Sequence, residues 1–134
     1  MSVENVEIVR RIMDRFADAD LEGALEDIAP EATLDWSNSD APDSGVYTGH
    51  EAWRMFMRTR DEVLSARRID TPELITPSAD TVVLVARIRE QGRVSGVEVA
   101  ATGAAVWTLR DGKVVRVKLY QSRAEALESV KTAD

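Results

Sequence analysis

The chain has no cysteine and a single histidine, His50, among its 134 residues. Disulfides, thiolate catalysis and cysteine metal sites are therefore excluded. Zinc centres usually gather three or four ligands and favour His or Cys, so no metal site is expected, and no cofactor. Basic charge is also in short supply: 17 Lys and Arg stand against 24 Asp and Glu, for a net charge of −7. A phosphate-backbone binder needs a concentrated basic surface, so nucleic acid is not an expected partner. The local pairs Arg10-Arg11 and Arg67-Arg68 read as solvated positions. No run approaches the roughly 20 apolar residues of a membrane span, and Met1 to Arg11 is too charged for a signal peptide. The expectation is a cytoplasmic protein without membrane contact, and a length suited to one domain over residues 1–134.

What is present is mostly periodic. Val6, Val9, Ile12, Met13 and Phe16 recur at helical spacing with charges between them, which predicts an amphipathic first helix. Asp20 reads as the N-cap of a second, short helix through Leu21, Ala24, Leu25 and Ile28, closed by Pro30. Ala32 to Trp36 reads as a strand and Ser37 to Val46 as a surface loop. Thr48 and Glu51 form a capping-box pattern for a third helix, with Trp53, Phe56, Met57 and Leu64 on one side. Pro72 and Pro77 punctuate an edge strand around Arg68 to Thr76. Thr81 to Glu90 follows as a strand with Val82, Leu84, Ala86 and Ile88 on one face. Ser122 and Glu125 suit the start of a terminal helix. Helices first and antiparallel strands afterwards is an α+β order.

The longest signal is a hairpin from Val97 to Gln121 that turns at Arg110-Asp111-Gly112-Lys113. Counting by twos puts Ala105, Trp107, Leu109, Val115, Val117, Leu119 and Gln121 on the inward face. A two-residue Asp-Gly loop would set Trp107 against Arg116 and Ala105 against Lys118. A three-residue loop, Arg110-Asp111-Gly112, sets Trp107 against Val115 and Ala105 against Val117. Register follows the buried pattern, so the three-residue loop is expected. The outward set, Thr102, Ala104, Val106, Thr108 and Val114, is apolar for an exposed face. That predicts a homodimer formed through the outer sheet face.

The stretches Ala19-Asp20-Leu21-Glu22, Glu31-Ala32-Thr33-Leu34-Asp35-Trp36, Tyr47-Thr48-Gly49-His50-Glu51-Ala52-Trp53 and Trp107 to Val115 resemble the SnoaL-like branch of the nuclear transport factor 2-like superfamily, which also holds ketosteroid isomerase-like proteins. The resemblance covers nearly the whole chain and implies a single SnoaL-like domain. The implied fold is a cone-shaped α+β roll of cystatin-like type: a strongly bent antiparallel sheet wraps a long helix behind N-terminal helices and leaves a pocket at the open end. Members include isomerases, polyketide cyclases and epoxide hydrolases. Carried over by position, the steroid isomerases' strand base falls on Trp36 with Asp35 beside it, their helix tyrosine near Ile12 and their hairpin acid near Ala105. The steroid-isomerase set is thus missing.

On this fold Trp36, Trp53, Met57, Trp107, Val117, Leu119 and Gln121 are expected to line an apolar pocket, with core packing as the plainer role for the tryptophans. Gln121 is the polar group that alternation places inside. Three groups are candidate proton carriers. Asp35 should turn away from the face of Trp36 into solvent, unless a bulge brings it inward and desolvation raises its pKa. His50 opens a helix, where the dipole favours the neutral ring. Tyr47 could donate at the pocket mouth or staple the loop to the helix. The primary expectation is a protein that binds a small apolar, ring-containing or isoprenoid-like metabolite. The alternatives are a cofactor-free acid–base enzyme of isomerase, cyclase or dehydratase type, and a dimeric scaffold with a vestigial pocket.

Overall fold

The structure, a computed structural model, describes residues 2–39, 44–92 and 94–132. Residues 40–43 of the expected loop, and the side chains of Arg67 and Arg68, lie outside the described residues. The elements run α1 (Ser2–Ala17), α2 (Leu21–Leu25), β1 (Ile28–Asp35), β2 (Val46–Thr48), α3 (His50–Val63), β3 (Leu64–Ser78), β4 (Thr81–Gly92), β5 (Glu98–Arg110), β6 (Lys113–Tyr120) and α4 (Arg123–Thr132). The strands form one bent, open six-stranded sheet in the order β2-β1-β6-β5-β4-β3. All pairs are antiparallel except β1 with β6, which is parallel.

Local chemistry accounts for most boundaries. The Asp20 carboxylate accepts from the Gly23 N–H at 3.0 Å, as an N-cap should, but α2 stops at Leu25. Ile28 and Pro30, read as the end of that helix, belong to β1 instead. Pro30 is accommodated where the β1–β6 ladder is irregular, between the pairs Ile28–Val114 and Thr33–Arg116. A residue without an N–H costs nothing in an unpaired stretch. Leu64, read as the last apolar position of the third helix, begins β3. The β3–β4 register shifts between Asp70 and Glu73 and again between Ile75 and Ser78, which brackets Pro72 and Pro77. Glu125 N–H donates to Ser122 Oγ at 3.1 Å and starts α4 as the sequence suggests.

The β5–β6 turn differs from the three-residue loop. Arg110 pairs directly with Lys113, and the loop is the two residues Asp111 (φ 53°) and Gly112 (φ 80°). Two positive φ angles make the turn whose twist matches its strands. The mismatch this turn would create is removed one step later. Leu109 faces Val114 and Thr108 faces Arg116, so Val115 is an extra residue bulged out of the ladder. Beyond the bulge Trp107 pairs with Val117 and Ala105 with Leu119. Val114, expected on the outer face, is fully buried in the main core.

That core joins Val9 and Ile12 of α1, Ala24 and Leu25 of α2, and Trp53 and Phe56 of α3 to the concave side of β1, β4, β5 and β6. A smaller cluster lies on the opposite side, where Ala126, Leu127 and Val130 of α4 pack on Val83, Val85, Ala104, Val106 and Tyr120. Much of the apolar outer face is therefore covered by the chain's own last helix.

An L side chain resists the left-handed conformation by about 1–2 kcal/mol. Gly112→Ala is accordingly expected to lower the unfolding free energy by about 1 kcal/mol in urea titration. An unchanged midpoint would contradict the two-residue turn.

Candidate functional site

The concave face does not fill completely. A cavity of about 500 Å³ remains between α1, α3 and the sheet. The first helix contributes Met13 and Phe16, on the stripe that also buries Val9 and Ile12. Strand alternation brings Leu34 and Trp36 from the end of β1 and its following residue. From β4 it brings Leu84, Ala86 and Ile88.

Trp36, Trp53, Met57, Trp107, Val117, Leu119 and Gln121 all border this cavity. They do not contribute equally. Trp53 and Trp107 are 1% and 3% exposed and form the wall from within the core, whereas Trp36, Met57 and Leu119 are partly buried. Trp53 Nε1 donates to the Ala32 carbonyl at 3.0 Å and ties α3 to β1. Trp107 Nε1 is shut off from solvent and finds no acceptor among the described residues. An unmade buried hydrogen bond costs about 1–3 kcal/mol, so this indole is held by packing. Gln121 is exposed, and its amide donates to the Asn38 carbonyl at 3.0 Å, which steadies the chain after β1.

The three candidate proton carriers are not among the residues that border the cavity. Tyr47 stacks on Phe56 at 4.9 Å between ring centroids and so fastens β2 to α3. His50 Nε2 lies 2.7 Å from the Ile28 carbonyl. A carbonyl only accepts, so Nε2 carries the hydrogen and donates it, linking the start of α3 to the start of β1.

Asp35 turns away from the Trp36 face as alternation requires, but it is not exposed: its accessibility is only 8%. Its Oδ1 accepts from the Ser37 N–H at 2.9 Å and from the Ser37 hydroxyl at 2.5 Å. Arg116 and Lys118 of the adjoining β6 stand 3.6 and 4.0 Å from Oδ2. Burial works against the charge, but the Ser37 bonds and the two cations outweigh it and hold the carboxyl below its ordinary value. This is the opposite of the raised pKa that an inward Asp35 would have shown.

Two charged residues that the sequence reading passed over do border the cavity. Arg60 NH2 lies 3.3 Å from Glu90 Oε1, with the side chains 23% and 13% exposed. The Arg60 guanidinium sits 5.9 Å from the Trp36 ring centroid and 5.6 Å from that of Phe56. The signal was available in both elements. Glu90 continues the count by twos from Leu84, Ala86 and Ile88, and Arg60 lies one helical turn beyond Phe56.

The bent sheet closed over two helices, with a cavity on its concave side, defines a nuclear transport factor 2-like α+β protein. The chain belongs to the SnoaL-like domain family, whose pattern matches residues 9–117. No curated protein sequence matches it. Among solved structures, TerC co-crystallised with polyporic acid superposes with a TM-score of 0.78 at 24% identity, covering 96% of this chain and 98% of TerC. A nuclear transport factor 2-like protein of unknown function from Burkholderia pseudomallei gives 0.76 at 22% identity, covering 93% and 95%. A proposed polyketide cyclase from Xanthomonas campestris pv. campestris gives 0.78 at 15% identity, covering 95% and 96%. At these identities the likeness is one of fold.

A carboxyl whose folded pKa is lowered stabilises the fold above its ordinary pKa of 3.8, and that contribution is lost as pH falls through the folded value. Asp35→Asn is therefore expected to cost about 1–2 kcal/mol near neutral pH. The gap to the wild type should close in thermal melts below about pH 4. A gap that widens toward acid pH would contradict this arrangement.

Proposed function

We propose that this protein binds a small, largely apolar ring compound in the concave cavity. The observation that carries the reading is the cavity of about 500 Å³ walled by Met13, Phe16, Trp36, Met57, Ile88 and Leu119. Sites of this kind bury most of a ligand against apolar and aromatic side chains, and a few polar groups fix its orientation. TerC, which shares the fold, was crystallised with polyporic acid, and this supports a ligand in the corresponding space. Ala105, at the position where steroid isomerases carry an acid, leaves room for the ligand's body and supplies no proton.

Acid–base catalysis is the second reading, and Glu90 is the observation that favours it, since its carboxylate borders the cavity. Asp35, Tyr47 and His50 would not be its proton carriers, because none of them is among the residues that border the cavity. A homodimer through the outer sheet face is part of the same proposal. Since α4 already packs on Ala104 and Val106, the dimer would use the more polar part of that face, with Thr81, Thr108 and Arg116.

A ligand that binds only the folded state raises apparent stability. A thermal-shift screen with bicyclic and tricyclic aromatic compounds is expected to raise the midpoint by several degrees at saturating ligand. Ala105→Leu, which places two more carbons beyond Cγ into the cavity, should weaken that binding at least about tenfold with the fold retained. A panel with no shift at all would remove the binding reading. Sedimentation equilibrium at micromolar concentration is expected to give twice the chain mass, and a monomer would remove the dimer.

A further inference from the structure

The largely apolar cavity is bordered by a charged pair that an apolar ligand does not use, Arg60 and Glu90. Arg60 stands in the last turn of α3 and Glu90 two residues before the end of β4, so two separate elements bring the charges together. A charged pair is not what packing of an apolar wall calls for. A partly buried pair loses in desolvation about what it gains in attraction, and apolar side chains of similar volume serve packing as well or better. The guanidinium is held over Trp36 and Phe56. A planar, weakly hydrated cation stacked in this way stays pre-organised, with N–H groups in its own plane.

We propose that the Arg60–Glu90 pair is the specificity element of the cavity, and that the ligand's reading group is an acidic hydroxyl on an aromatic ring or an enol. The proposal presupposes the ring-compound binding inferred above. The chemistry follows from what the pair offers: a cationic donor and an anionic acceptor 3.3 Å apart. A hydroxyl oxygen accepts from Arg60 while its hydrogen goes to Glu90, so one group satisfies both charges and the pair stays closed. A ketone satisfies only Arg60. An ammonium satisfies only Glu90, and an amide meets both charges only through two separate atoms, its carbonyl oxygen and its N–H. A carboxylate competes with Glu90 for the guanidinium and adds a second negative charge beside it. Among hydroxyls, the more acidic one makes the stronger hydrogen bond to a carboxylate. A flat ring carrying that hydroxyl can lie beside the Trp36 face with its apolar body in the cavity.

Isothermal titration of the full chain with β-naphthol, its methyl ether and β-naphthoic acid tests the assignment. The ether keeps the ring and the oxygen but has no hydrogen to donate. β-Naphthol is expected to bind about tenfold tighter than the ether or more, the scale of a hydrogen bond to a charged group. In the double variant Arg60→Met/Glu90→Leu, which keeps apolar volume and removes both charges of the pair, the preference should vanish while the ether binds at least as well as before. Should that variant not fold, Glu90→Gln keeps the shape and is expected to cut the preference to two- or threefold. Equal affinities in the wild type, or a preference that survives in the variants, would overturn the proposal and leave the binding reading standing. Tighter binding of β-naphthoic acid than of β-naphthol would overturn the hydroxyl assignment in the same way. Failure of all three compounds to bind would overturn both readings together.

Discussion

The bulge at Val115 governs how this sheet is used. The turn at Asp111 and Gly112 is two residues long and by itself would bring Trp107 opposite Arg116. Side chains alternate with a period of two, so a one-residue error in register exchanges the faces of a whole strand. The single extra residue restores the match, and Ala105 and Trp107 meet Leu119 and Val117 over the cavity. It also lets both Val114 and Val117 face inward although they are three positions apart, an odd spacing, and each is almost fully buried. The remaining residues of β6 are sorted by the same event. Arg116 and Lys118 stand on the convex side, where they meet Asp35 of β1.

The two sides of the sheet then acquire different chemistry. On the convex side a hollow of about 420 Å³ beside α4 is lined by Asp80, Thr108, Arg116 and Lys118. The last two also stand beside Asp35 and help to hold its carboxyl below its ordinary pKa. The concave side is mostly apolar, and the charged groups that border its cavity among the described residues are the paired Arg60 and Glu90. A carboxylate fixed between two cations and a serine serves the fold, because its charge is already spoken for. A carboxylate paired with a guanidinium at a cavity wall presents its charge to whatever enters. This difference in surroundings, more than residue type, separates Asp35 from Glu90 as a functional candidate.

How far the candidate site could be read in the sequence follows from how local each signal is. The inward set of β4, the helical stripe of α1 and the start of α4 depend on neighbours within one turn or two residues, and each was legible, whereas the start of β6 was read one residue out, with Val115 inward and Val114 outward. Trp36, Trp53, Met57 and Trp107 each lie on the apolar side of their own element, and all four border one space. The bulge was not legible, because an extra residue is tolerated only where the partner strand and core reward it. The end of α2 was misread for a related reason. Ile28 fits a helical stripe, yet it is fully buried in β1 because β6 offers it a pairing partner in Val114. The apolar outer face was read as a surface waiting for a second chain, and its first occupant is α4.

The sequence by itself determined the α+β order, the family and the apolar lining of the concave side, since periodicity and turn chemistry act over a few residues. It also excluded cysteine chemistry and a basic nucleic-acid surface through composition alone. Only the tertiary structure decided which ionisable groups reach the cavity. Asp35, Tyr47 and His50 were the polar residues nearest the motifs, but pairing across β1, β6 and α3 engages them elsewhere. Arg60 and Glu90 lie 30 residues apart and meet only because the strand that follows α3 pairs with the end of β4, Leu64 opposite Gly92. Placement of a charge depends on what desolvates and neutralises it, and those partners come from distant parts of the chain.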